Sequence, residues 1–234
     1  MKLIRGLAAV ALLATTATAQ AEFSGTVTAV SDYNWRGITQ TAQDPALQGS
    51  IDWAHDSGFY VGAWASNVDF GDCCDENVEI DLYTGFSWGE TLVWDVGFNY
   101  YWYPGADDLD FPEVYFGVGY EWIEAKVWYS NDFANTDDSA FYLEGNATYE
   151  LPANFGLMAH IGYSDGDGIE AAYGQDNYFD WAVGVTYALG NFELGLKYVD
   201  GSDLETLDGT PDDVSSSEGR AIFSVSTTFP WAKE

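Results

Sequence analysis

The chain has 234 residues with 38 acidic against seven basic side chains, a formal net charge of −31. A molecule this acidic offers no basic surface for phosphates, which excludes nucleic-acid binding. Its 10 Trp, 16 Tyr, 14 Phe and 25 Gly exclude an acidic disordered chain, which would be poor in aromatics, and suit twisted strands better than amphipathic helices.

In chain order, Lys2 and Arg5 precede an apolar run from Leu7 to Leu13, then small residues and Ala19-Gln20-Ala21. This predicts a secretory signal peptide over residues 1–21 and one domain over 22–234. The run is too short to cross a bilayer as a helix, and no later apolar stretch reaches the roughly 18 residues needed. After residue 21 the basic residues are Arg36, Lys126, Lys197, Arg220 and Lys233.

From there alternation with period two recurs at regular spacing. Between 78 and 88, Val78, Ile80, Leu82 and Phe86 share one face and Glu79, Asp81, Tyr83 and Ser87 the other. Strands are predicted near 23–33, 46–54, 58–67, 77–87, 91–102, 112–122, 124–131, 140–150, 155–164, 177–188, 191–200 and 219–229. Twelve strands, most of them near the ~9–11 residues that cross a bilayer at a tilt, predict a closed transmembrane antiparallel up-and-down β-barrel. Connections alternate strictly: short turns at 55–58, 88–90, 123, 151–154 and 189–190, and longer Asp- and Gly-rich loops near 34–45, 68–76, 103–111, 132–139, 165–176 and 201–218. Short periplasmic turns and long outer loops would leave both termini in the periplasm.

A soluble antiparallel barrel or sandwich alternates equally well but buries its apolar face. The membrane reading is favoured by aromatics near strand ends, where interfacial girdles stand. These are Trp53, Phe59, Trp88, Trp102, Phe111, Trp122, Phe133, Phe141, Phe155, Tyr178, Tyr187, Phe192 and Phe229.

The segment Ser31-Asp32-Tyr33-Asn34-Trp35-Arg36-Gly37-Ile38-Thr39-Gln40, followed by Pro45-Ala46-Leu47-Gln48-Gly49-Ser50-Ile51-Asp52, resembles the opening of the TorF-type family of porin-like proteins of proteobacteria. Glu79-Ile80-Asp81-Leu82-Tyr83 and the later aromatic-Gly alternation are similar to that family too. The resemblance implies a porin-like outer-membrane barrel and names no solute. One departure is the C-terminus: such barrels commonly end on an aromatic residue, whereas here Pro230-Trp231-Ala232-Lys233-Glu234 follow Phe229.

With the apolar face toward lipid, the opposite face supplies the pore-lining candidates. They are the acids Asp52, Glu79, Asp81, Asp95, Glu121, Glu144, Glu150, Asp180 and Glu193, and the bases Lys126, Lys197 and Arg220. Carboxylates in excess predict a cation-preferring channel for small hydrophilic solutes. A twelve-stranded barrel is also narrow enough to be plugged, so the alternative is an occluded structural or loop-mediated interaction barrel.

Arg36, at the start of the first long loop, is a pore-mouth candidate that either folds inward to constrict the pore or pairs with a nearby loop carboxylate. The loop acids Asp72, Asp75, Asp107, Asp108, Asp110, Asp137, Asp138, Asp165, Asp167, Asp203, Asp208, Asp212 and Asp213 are generic solvated charge. They are able to share divalent cations with lipopolysaccharide phosphates at the surface of outer-membrane lipids, without forming a dedicated metal site. Cys73 and Cys74 are adjacent and open to a strained vicinal disulfide, an interchain bridge or a thiol pair. No cofactor is implied. Catalysis would have to use His55, in a turn, or His160, on the interior face, and neither is placed as an enzyme would need.

Overall fold

In the computed structural model, which describes residues 22–71, 77–201 and 214–231, the chain is a closed barrel. Its strands are β1 (Glu22–Val30), β4 (Ala46–Ala54), β5 (Phe59–Asn67), β6 (Val78–Trp88), β7 (Leu92–Trp102), β8 (Phe111–Tyr120) and β9 (Ile123–Ser130), then β10 (Ala140–Glu150), β11 (Phe155–Asp165), β12 (Asn177–Leu189), β13 (Phe192–Gly201) and β14 (Arg220–Phe229). Two short strands, β2 (Asn34–Trp35) and β3 (Ile38–Thr39), form a hairpin within the first loop. The twelve long strands pair antiparallel with their chain neighbours, and β1 closes the ring on β14 with Gly25 opposite Phe229. Closure leaves no open edge, so the backbone satisfies itself inside a bilayer. The signal region 1–21, Cys73, Cys74 and loop residues Asp72, Asp75, Asp203, Asp208, Asp212 and Asp213 lie outside the described residues.

The register decides which face meets lipid. One outward row runs through Ile51, Leu82, Val96, Val114, Leu143, Ile161, Val183, Leu196 and Phe223, all exposed, with Ile51 69% and Ile161 59% accessible. Among the outward positions of the twelve strands only Asp165 and Asp200 are charged, and both stand at the loop ends. A soluble fold would bury this row, because apolar side chains left in water forfeit about 25 cal/mol per Å². The chain is inside-out relative to a soluble barrel and spans a membrane. Residues 22 and 229 lie on the rim that carries the short turns.

Departures from the expected strands have local causes. The first strand stops at Val30 instead of running to 33, because the next residues turn into the barrel. Strand β8 stops at Tyr120, because Glu121 takes a left-handed φ of 53° and forms a turn with Trp122. Three expected girdle residues are not on the outside: Phe111, Phe133 and Tyr178 are 3%, 1% and 2% exposed. They pack with Ile38, Tyr101 and Ile169 into an apolar cap at the long-loop end. Its roof is the helix α1 (Asp167–Tyr173) and two 3-10 turns, at Asp107–Leu109 and Phe133–Asn135.

Candidate functional site

The first loop, Ser31 to Pro45, does not stay on the surface. Its Trp35-Arg36-Gly37-Ile38 hairpin turns through two residues with positive φ, 48° at Arg36 and 83° at Gly37, the combination that two-residue hairpins favour. Gly37 is required twice over, for that φ and because a Cβ there would lie 2.6 Å from the Cβ of Asp180. The hairpin tip therefore seats inside the barrel against β12, near the long-loop end of that strand.

Side chains pin the loop around the wall. Tyr33 Oη donates to Glu79 Oε1 on β6 at 2.9 Å. Thr39 Oγ1 donates to Asp32 at 2.5 Å, and Arg220 Nε on β14 approaches Asp32 Oδ2 at 2.7 Å as an ion pair outside hydrogen-bonding angle. The Thr39 backbone N–H donates to Ser216 O at 3.0 Å and that of Asp69 to Gln40 O at 2.8 Å. The Tyr33 phenol is pushed well above its ordinary range by burial, reinforced by Glu79, so it stays a neutral donor.

Arg36 is the centre of the assembly. Its guanidinium donates to both oxygens of Glu113 on β8, at 2.9 and 2.6 Å, and both side chains are buried, at 6% and 1% exposure. The same carbon stands 4.3 Å from the ring centres of Trp35 and Tyr142 and 5.7 Å from that of Trp128. Burial opposes the charge, but Glu113 outweighs it and holds the guanidinium above its ordinary value. Arg36 points inward, and its ion pair is made not with a nearby loop carboxylate but with a wall carboxylate 77 residues away.

At this level the interior is sealed. Wall residues Glu79, Tyr101, Glu113, Tyr142, Ser164, Asp180 and Ile222 are all under 5% exposed, as are Ile38, Thr39 and Thr41 of the loop. Beside the hairpin, His160 on β11 hydrogen-bonds Asn146 through Nδ1 at 2.6 Å, and Tyr142 and Asp180 through Nε2 at 2.9 Å each. Trp128 Nε1 donates to Glu144 at 2.7 Å.

Below the seal, toward the short turns, the two sides of the barrel differ. Against β5–β9 the space is filled: Tyr60 bonds Asp95 and Tyr115, Tyr83 bonds Asp52, and Lys126 lies over the Tyr115 ring at 4.9 Å and 3.5 Å from Glu124. On β14, β1 and β4 the interior side chains include small hydroxyls such as Ser24, Thr26, Ser50, Ser224 and Ser226, half-buried, with Glu193 and Lys197 inward on the neighbouring β13.

Of the pore-lining candidates, Asp52, Glu79, Asp81, Asp95, Lys126, Glu144, Asp180, Glu193, Lys197 and Arg220 face the interior. Glu150 shares that parity but ends β10 at the exposed turn rim. Glu121 does not line the interior, because its turn leaves it in solvent. Glu113 and Glu124 belong to the set and were legible from the same alternation, since Val114, Phe116 and Ala125 face lipid. His55 closes its turn locally, with Nδ1 2.9 Å from Ser57 Oγ. Among the described residues no three His, Cys, Asp or Glu converge to hold a metal.

Residues 14–229 match Gcw_chp, a bacterial protein family of unknown function. The chain belongs to that family. No curated protein matches it in sequence. Its fold is similar to the NanC porin, at TM-score 0.59 and 8% identity over 88% of this chain and 99% of that one. It is also similar to the KdgM porin, at TM-score 0.56 and 9% identity over 89% and 99%. A second KdgM structure, in complex with disordered oligogalacturonate, gives TM-score 0.55 and 8% identity over 91% and 100%. This member of Gcw_chp thus shares a porin barrel fold, at identities that speak to the fold alone.

Proposed function

We propose that the protein is an outer-membrane channel for small hydrophilic solutes with a preference for cations, and that the loop Ser31–Pro45 forms its constriction. The observation that carries this reading is a hydrophilic interior enclosed by a continuous lipid-facing belt. Inside stand Asp52, Glu79, Asp81, Asp95, Glu113, Glu124, Glu144, Asp180 and Glu193 against Arg36, Lys126, Lys197 and Arg220. Such an excess of carboxylates attracts cations and repels polyanions. Oligogalacturonate, bound by the KdgM porin, is a polyanion and is a poor match for this interior. The resemblance to TorF-type porin-like proteins supports the porin-like channel and names no solute.

In this reading residues 1–21 direct export, the turn rim and both termini face the periplasm, and the long loops face outward. There the acidic loops share divalent ions with lipopolysaccharide phosphates. A second reading, an occluded barrel, is favoured by the sealed ring around Arg36. Planar-bilayer recording separates them: discrete conductance supports the channel, and a folded barrel that stays silent even after the loop is shortened supports occlusion. In a conducting barrel, D52N, E144Q and E193Q together are expected to move the reversal potential toward anions, and an unchanged value would refute the cation preference.

A further inference from the structure

We propose that the barrel wall carries a binding site for guanidino cations, and that Arg36 is its resident occupant. The proposal rests on the channel reading and names the class of solute such a channel would take. The site is a built one. Glu113, 1% exposed at its side chain, accepts two parallel hydrogen bonds from the occupying guanidinium. Tyr101 Oη donates to Glu113 Oε2 at 2.9 Å and fixes the direction in which the carboxylate points. The rings of Tyr142 and Trp128 stand 4.3 and 5.7 Å from the guanidinium carbon.

These four receptor residues come from four consecutive strands, β7 to β10, whereas the occupant comes from a loop. Receptor and ligand are thus covalently joined but structurally separate, as in an intramolecular complex. The geometry selects a planar fork: two parallel N–H groups match one carboxylate, and a flat delocalised cation meets the ring faces. A primary ammonium offers neither the second parallel donor nor the flat face. A guanidino solute reaches this wall only when Arg36 has left it. It therefore binds the released loop better than the seated one, and that difference is what shifts the loop outward.

The test uses the full-length folded barrel in detergent micelles, with folding verified by its faster gel migration before heating. R36A removes the occupant and leaves the wall. Titrated calorimetrically with methylguanidinium, R36A is expected to show one site. That site should bind at least about tenfold more tightly than the wild-type barrel does, since a buried carboxylate regains its partner. Methylammonium is expected to bind R36A at least about tenfold more weakly than methylguanidinium, for want of the fork. R36A/E113Q is expected to bind neither. If R36A does not fold, the barrel in which Ser31–Pro45 is replaced by a short Gly-Ser turn also removes the occupant and is read by the same criteria.

No saturable binding to the folded variant, binding that survives E113Q, or equal affinity for methylammonium overturns the proposal. The titration needs no current. A barrel that binds methylguanidinium but never conducts therefore sinks the channel reading and leaves the site standing, while one that conducts but does not bind sinks the site alone.

Discussion

Arg36 and Glu113 lie 77 residues apart in the chain, and their side chains meet at 2.6 Å inside the barrel, toward its long-loop end. The pair ties a loop to the wall, so its two halves are not equivalent when removed. E113Q leaves the guanidinium buried without its counter-charge, an imbalance that costs about 3–5 kcal/mol where it has been measured for buried pairs. E113Q/R36M removes both charges and keeps most of the volume. The double variant is expected to recover most of the stability that E113Q loses, read by urea unfolding in micelles. Additive losses would mean that the two side chains do not interact.

The hairpin tip is the most geometrically constrained point of the loop. G37A asks an L-residue to hold a φ of 83° and places a Cβ 2.6 Å from that of Asp180. The strain is of order 1–3 kcal/mol and is relieved if the hairpin backs out of its seat. Limited proteolysis is expected to cleave the G37A loop at protease concentrations that leave the wild-type loop intact. Equal resistance would show that the hairpin does not depend on this fit.

Alkaline pH should release the loops. Burial raises the phenols of Tyr33, Tyr103 and Tyr173 above their ordinary value, whereas a released loop ionises its phenols near pH ~10. Groups whose value is raised in the seated state stabilise it fully below that ordinary value and lose their contribution as pH rises beyond it. Protease sensitivity of the long loops is expected to be flat from pH 7 to 9 and to climb above about 10. A profile that stays flat to pH 11 would contradict the burial of these phenols.

The lipid-facing row makes a separate prediction. Leu143, 51% exposed and flanked by Val127 on β9 and Tyr163 on β11, stands well inside the belt. L143R is expected to cost about 2–4 kcal/mol of folding into bilayers, as an arginine near the midplane does. T26R, on the hydrophilic inner face, should cost much less. A reversed order would place the wrong face against lipid.

Much of this architecture was legible in the sequence because a barrel wall is a local code. Val78 to Trp88 shows its two faces by alternation alone, and neighbouring strands repeat the pattern with turns of alternating length between them. The loops carry no such period. Phe111, Phe133 and Tyr178 read as girdle aromatics because they stand near strand ends, and only the folded loops show that they turn inward to cap the barrel. Glu121 was misplaced for a related reason: it continues the parity of Glu113 and Tyr115, but the strand ends one residue before it. The partner of Arg36 was beyond reach, because nothing in the composition of residues 31–45 says which wall strand the hairpin touches.

Whether the barrel is an acidic channel closed by its own first loop is decided by single-channel recording in asymmetric KCl. The wild-type barrel is compared with a variant in which Ser31–Pro45 is replaced by a short Gly-Ser turn. Small or rare openings are expected for the wild type. The shortened barrel should show a large steady conductance with a reversal potential on the cation side. A correctly folded shortened barrel that conducts no better than the wild type, or that selects anions, would contradict it.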